Sequence, residues 1–181
     1  MLTALIKQLS THVNDFFGAI ENESGGVLKP LKKIAGYRLF NKIIGSSLPF
    51  AKRNHFSVIE VKKGYVRSQI KLNGNRNHLG TMYAGALFTL AEIPGGILVL
   101  LSFDSSYVPI LKRLDIEYIL PAKTDIEVEF TLSEAQIIAL QSALDTLGKA
   151  EFSLLGVLKD KHGAVVAKSK ADYQIRRKKQ K

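Results

Sequence analysis

The chain has 181 residues, 46% of them hydrophobic, with a formal net charge of +10. That length fits one domain plus an arm, and the apolar share excludes a disordered chain. The absence of cysteine excludes disulfides and cysteine-held metal, and suits a cytoplasmic protein.

Residues 1–20 have the pattern of an amphipathic helix: Leu2, Leu5, Ile6, Leu9, Val13, Phe16, Phe17 and Ile20 recur at three- and four-residue steps. Such a helix packs on the domain or on a partner subunit. A membrane-surface role is the rival reading, but Lys7 is the one firm cation on its polar face. No basic start with a continuous apolar core marks a signal peptide. "ENESGG" breaks the pattern, and a second helix is expected over about Pro30 to Ile44, stopped by Gly45. Residues 1–50 are thus an N-terminal helical extension.

Strands follow. "FSVIEVKKG" and "YVRSQIKLN" alternate and meet at Lys63-Gly64, as in a hairpin. An apolar helix is expected over Met82 to Ile93, apolar nearly all round and therefore enclosed. The run "IPGGILVLL" beyond it is too short to cross a bilayer and is interrupted by Pro94, Gly95 and Gly96. "ILKRLDIEYIL" and "DIEVEFTLS" alternate again. A short helix then runs from an N-cap at Ser133 to a stop at Gly148. A last hairpin turns at Lys161-His162-Gly163. Residues 51–177 form the domain, in which an antiparallel sheet buries one face on the apolar helix.

Residues 178–181 are a basic tail that extends a run begun by Arg176 and Arg177. It has the character of a solvated, frayed end, and no nucleic-acid motif accompanies it, so nucleic acid is not an expected partner. No His and acid cluster stands at metal-ligand spacing, so no metal is expected. His12, His55 and His162 read as ordinary surface or loop residues.

The chemistry gathers in "RNHLGTMYAGALFTLAE", residues 76–92. Glu92 is a carboxylate on a helix expected to be enclosed, which costs desolvation unless the group is paired or used. The helix start offers unpaired backbone N–H groups, able to hold an anion or polarise a carbonyl. The small residues Gly80, Ala84, Gly85 and Ala86 allow a ligand close to that backbone. Asn77 adds an amide ahead of the helix. An acid, oxyanion-type donors and a positioning amide are the parts needed to activate water against an acyl group. His78 and Tyr83 are candidates for ligand contact, and Ser105 and Ser106 for positioning water.

The same stretch carries a resemblance. "N-x5-Y-A-G-A-L-F-T-L-A-E" resembles the helix motif of phenylacetate-pathway-type acyl-CoA thioesterases of the hot-dog superfamily. Asn77 matches their Asn, Gly85 their second Gly, Thr89, Leu90 and Ala91 their "TLA", and Glu92 their catalytic acid. Three positions depart: Tyr83 replaces a His, Ala84 replaces the first Gly, and Glu92 replaces an Asp. Ala84 still has the backbone N–H that the Gly would supply. With the upstream "FNKIIGSSLPFAKR", the chain more closely resembles a little-characterised bacterial hot-dog family of unknown function.

The resemblance implies an α+β hot-dog fold, with an antiparallel sheet wrapped around a central apolar helix and the N-terminal extension added. It implies hydrolysis of an acyl-CoA or acyl-carrier thioester, with Glu92 as general base or nucleophile and Asn77 holding water or carbonyl. Tyr83, Ala84, Gly85, His78 and Thr89 would line the substrate. It implies a homodimer, with dimers pairing into tetramers, and sites between subunits in which Glu92 faces Asn77 and Ala84 of the partner. Coenzyme A would enter as part of the substrate, with no separate cofactor; Lys52, Arg53, Arg76, Lys112 and Arg113 are candidates to meet its nucleotide end. The first rival is a non-catalytic hot-dog protein that binds acyl-CoA or fatty acyl groups as sensor or carrier, motivated by the missing His. A hydroxyacyl dehydratase ranks lower, because it needs a helix His. A peripheral membrane protein held by residues 1–20 and the tail is the remaining rival.

Overall fold

The computed structural model describes residues 28–178; the helix expected over residues 1–20 and the end of the basic tail lie outside them. In chain order the elements are α1 (Leu28–Ser47), α2 (Pro49–Arg53), β1 (Phe56–Lys62), β2 (Tyr65–Ile70), α3 (Ala84–Ser102), β3 (Tyr107–Tyr118), β4 (Ile126–Thr131), α4 (Glu134–Leu147), β5 (Lys149–Asp160) and β6 (Val165–Arg177). The six strands form one antiparallel sheet in the order β1-β2-β4-β5-β6-β3.

Strand alternation decides which side chains meet the helix. In β2, Val66, Ser68 and Ile70 are buried, while Tyr65, Arg67 and Gln69 face outward. The outward residues are tied across the ladder. The Arg67 guanidinium meets Glu127 at 2.7 Å, Gln69 donates to Glu127 at 3.1 Å, and the Tyr65 hydroxyl donates to Glu129 at 3.0 Å. Ile126, Val128 and Phe130 of β4 and Ala167, Ala171, Tyr173 and Ile175 of β6 complete the inner face. It closes on Leu87, Leu90, Ala91, Leu98 and Val99 of α3.

α1 protects the sheet's β1 edge. Asn41 acts as a stand-in strand: its amide donates to the Val58 carbonyl at 2.9 Å and accepts from the Val58 N–H at 2.7 Å. The Tyr37 hydroxyl accepts from the Val61 N–H at 3.1 Å. At the opposite edge, β3 carries Pro109, a residue that edge strands tolerate. α4 starts with a complete capping box between Ser133 and Gln136 and stops at Gly148, which has a left-handed backbone.

Two boundaries differ from the sequence expectation. α1 continues through Gly45 to Ser47. α3 begins two residues later than expected and runs nine residues further, across Pro94-Gly95-Gly96 to Ser102. Proline removes one helix hydrogen bond, a cost that burial of Ile97, Leu98, Val99 and Leu101 offsets. Gly95 is required by packing: a Cβ there would lie 2.4 Å from the Tyr173 ring. At 19 residues, α3 is long and apolar enough to cross a membrane, but most of it is buried in this domain.

Candidate functional site

The loop of residues 71–83 sets the start of α3. Asn75, nearly fully buried, donates from its side-chain amide to the carbonyls of Asn54 at 2.7 Å and Lys71 at 2.8 Å. Its own carbonyl accepts from the Tyr83 N–H at 2.7 Å. Asn77 folds the next turn. Its side-chain oxygen accepts from the N–H groups of Leu79 and Thr81, and its amide donates to Thr81 Oγ1 at 3.0 Å. That leaves one side-chain N–H of Asn77 for an external partner.

Tyr83 occupies the N-cap with extended backbone and supplies no side-chain cap. The N–H groups of Ala84 and Gly85 therefore donate to no protein acceptor among the described residues. The Tyr83 ring folds back over Gly85, where a Cβ would lie 2.4 Å from it; this explains glycine at that position. The Tyr118 hydroxyl, from the end of β3, donates to the Ala84 carbonyl at 3.2 Å. Between them lies an open groove of about 420 Å³, lined by Asn77, Thr81, Ala84 and Leu87 on one side and Tyr118, Ile119 and Leu120 on the other. Leu79, which lines it, is 74% exposed, and Tyr83, next to Ala84 in the chain, is 61% exposed.

Glu92 lies two turns further along α3. Ala84, Phe88, Glu92, Gly96 and Leu100 form the stripe of the helix that the sheet leaves uncovered. The Glu92 carboxylate is half-buried and has no hydrogen bond or ion pair among the described residues. Burial raises its pKa above the ordinary glutamate range. Its backbone is held: the Tyr173 hydroxyl donates to the Glu92 carbonyl at 2.5 Å through the gap at Gly95. The Tyr173 ring stacks on Phe152 at 5.4 Å. Burial, with the nearby Glu92 charge second, pushes the Tyr173 hydroxyl well above the usual tyrosine range, so it remains a donor.

The sequence candidates thus fall into separate groups. Asn77, Ala84, Gly85 and Tyr83 meet at the helix start, with His78 exposed on the loop beside them. Thr89 is buried, and its hydroxyl donates back to the Gly85 carbonyl at 2.8 Å, so it braces the helix. Glu92 stands about 12 Å along the axis from Ala84, at ~1.5 Å per residue. One chain therefore does not bring its acid and its helix-start donors to one atom. Ser105 and Ser106 lie past the far end of α3, where Ser106 donates its N–H to Asp104. Arg76 donates to the Gly80 carbonyl, Arg113 pairs with Asp115 at 2.8 Å, and Lys52, Arg53 and Lys112 are exposed. No cluster of three or more metal-ligating side chains occurs among the described residues.

Sequence reasoning missed Tyr118 and Tyr173. The signal for Tyr173 was present: an inward-facing tyrosine in an alternating strand must find an acceptor, and Gly95-Gly96 marks where a helix lets one approach.

The family model described as a domain of unknown function, DUF4442, matches residues 36–175. A Pseudomonas aeruginosa protein of unknown function, described as a probable thioesterase, has a similar solved structure. It is 44% identical, with a TM-score of 0.74 over 78% of this chain and 95% of that one. A Haemophilus influenzae thioesterase, 9% identical, superposes with a TM-score of 0.62 over 78% of this chain and 90% of its own. A Staphylococcus aureus thioesterase variant, 13% identical, reaches 0.59 over 71% and 98%. The latter two share the fold, the hot-dog arrangement of a six-stranded antiparallel sheet around α3. No curated protein matches the chain.

Proposed function

The chain belongs to the DUF4442 family, and from that premise we propose that it is an acyl-CoA thioesterase working between two copies of itself. The observation that carries this reading is the uncovered stripe of α3. It holds a desolvated carboxylate at Glu92 and, two turns away, the N–H groups of Ala84 and Gly85, none of which has a partner among the described residues. Two copies packed stripe to stripe in opposite directions set Glu92 of one against Ala84 of the other, which spans the gap that one chain leaves open.

The thioester carbonyl oxygen points at the Ala84 and Gly85 N–H groups, and the free N–H of Asn77 orients water or carbonyl. Glu92 acts as general base, taking a proton from water as its oxygen bonds to the carbonyl carbon. The negative charge moves to the carbonyl oxygen and rests on the two N–H groups. The carbon–sulfur bond then breaks, the thiolate leaves, and it is protonated. In the nucleophile variant, a Glu92 oxygen attacks first and water hydrolyses the resulting anhydride. A desolvated carboxylate with a raised pKa is the stronger base in either case.

The test is thiol release from acyl-CoAs of short, long and aryl-acetyl type, with Glu92→Gln as control. Release that disappears in the variant supports the reading; equal release from a folded variant removes Glu92 from it. Tyr83, standing where the resembled enzymes have a His, favours a second reading as a non-catalytic acyl-CoA binder. Binding without thiol release across the panel would select that one.

A further inference from the structure

A second cavity, of about 340 Å³, opens among α1, α2, the start of β1 and the end of β2, and shares no residue with the groove beside α3. Lys52, His55 and Lys71 line it together with the polar side chains of Asn41 and Ser57, and no Asp or Glu lines it. None of the three basic side chains forms an ion pair among the described residues. Surface cations are ordinarily interspersed with acids; two lysines around one concavity with no acid beside them focus a positive field. Without a carboxylate the pocket does not suit a metal ion.

The imidazole lies against the loop that follows β2. His55 has φ 51, the one non-glycine residue in the left-handed region among those described. Its ring lies so close against Gly74 that a Cβ there would sit 2.6 Å from Nε2. Asn75, next in the chain, fastens both walls through the Asn54 and Lys71 carbonyls and also accepts from the Tyr83 N–H that precedes α3. One buried residue therefore joins this pocket to the start of the proposed thioester site.

We propose that this pocket binds a phosphate group, and that the group belongs to the phosphorylated end of the thiol carrier whose thioester lies at α3. Two ammonium groups supply charge-assisted donors, and the imidazole beside them adds a ring N–H, a set that suits the several oxygens of a phosphate better than a single carboxylate. The carrier clause rests on the thioesterase reading; the phosphate site does not.

Two arms separate them. Pyrophosphate is titrated into the full-length protein while the His55 ring is followed by proton–carbon NMR, assigned with His55→Gln. A saturable shift is expected, with affinity weakened about tenfold by the double change Lys52→Ala and Lys71→Ala, both at exposed positions, since each lost contact with an exposed cation accounts for roughly a threefold step. No shift, or the same affinity in the folded double variant, overturns the site. In the second arm, KM is compared for an acyl-CoA and for the same acyl group on unphosphorylated pantetheine. The double variant raises KM about tenfold for the first and leaves the second unchanged. Pyrophosphate binding with equal KM for both overturns the carrier clause and assigns the pocket to a free phosphorylated metabolite. A protein that releases no thiol from either overturns the thioesterase reading, and with it the carrier clause; the NMR arm still decides the site.

Discussion

The two sides of α3 obey opposite rules. One side is closed: Leu90, Leu98 and Val99 are at most 1% exposed and press against the inner face of the sheet. The other is the stripe from Ala84 to Leu100, where Phe88 is 41% exposed and Glu92 has no partner among the described residues. The closed side is optimised for density and contains no ionisable group. The open side holds the acid, the helix-start N–H groups and apolar surface that no other described residue buries. The contrast separates what holds the domain together from what is left available for chemistry.

Breaking the open side chemically gives the largest expected effect. Glu92→Gln should lower thiol release by about a thousandfold, within the range typical of a lost acid–base group, while circular dichroism stays unchanged. Ala84→Pro removes one oxyanion donor and should cost about a hundredfold in kcat. Proline is suited to the first position of a helix, and Tyr83 already has extended backbone (φ −64, ψ 136), so the helix should persist.

Stability sharpens the contrast further. Leu98→Ala on the closed side should cost about 2–5 kcal/mol in urea unfolding. Phe88→Ala on the open side should cost less than about 1 kcal/mol where the chain is monomeric, and should instead weaken self-association in sedimentation. Similar losses for both would mean that the two sides are not distinct.

The smallest effect tests electrostatics. Burial raises the pKa of Glu92, so the folded protein holds its proton to higher pH than the unfolded chain does. Glu92 therefore favours folding at low pH, and this contribution is lost as pH rises through its folded pKa. Glu92→Gln should raise the melting temperature at neutral pH, with the gain gone below about pH 4, the ordinary glutamate range. Activity of the unaltered protein should rise with pH through an inflection above that range.

Much of the fold was legible because strand alternation and turn chemistry are local. Both hairpins, the Ser133 cap and the Gly148 stop follow from residues a few positions apart. The far half of α3 was not legible. Pro94-Gly95-Gly96 reads locally as a helix end; only the sheet, which arrives later in the chain, makes continuation favourable. Glu92 and the helix-start donors could be picked out by type and spacing. The structure adds that Asn77 spends most of its hydrogen-bonding capacity on its own turn. It also shows that Tyr173, eighty-one residues from Glu92, holds that residue's backbone. Neither relation has a sequence period.

The most direct test of the central claim is complementation. Glu92→Gln and Ala84→Pro proteins, each nearly inactive, are unfolded together, refolded at equal ratio and assayed for thiol release. If each site draws Glu92 from one chain and Ala84 from the other, half of the dimers are mixed and each has one intact site, giving about a quarter of the unaltered activity in an isologous pair. If the mixture stays as inactive as its parents while sedimentation shows mixed dimers, the site does not lie across the two copies and the account is wrong.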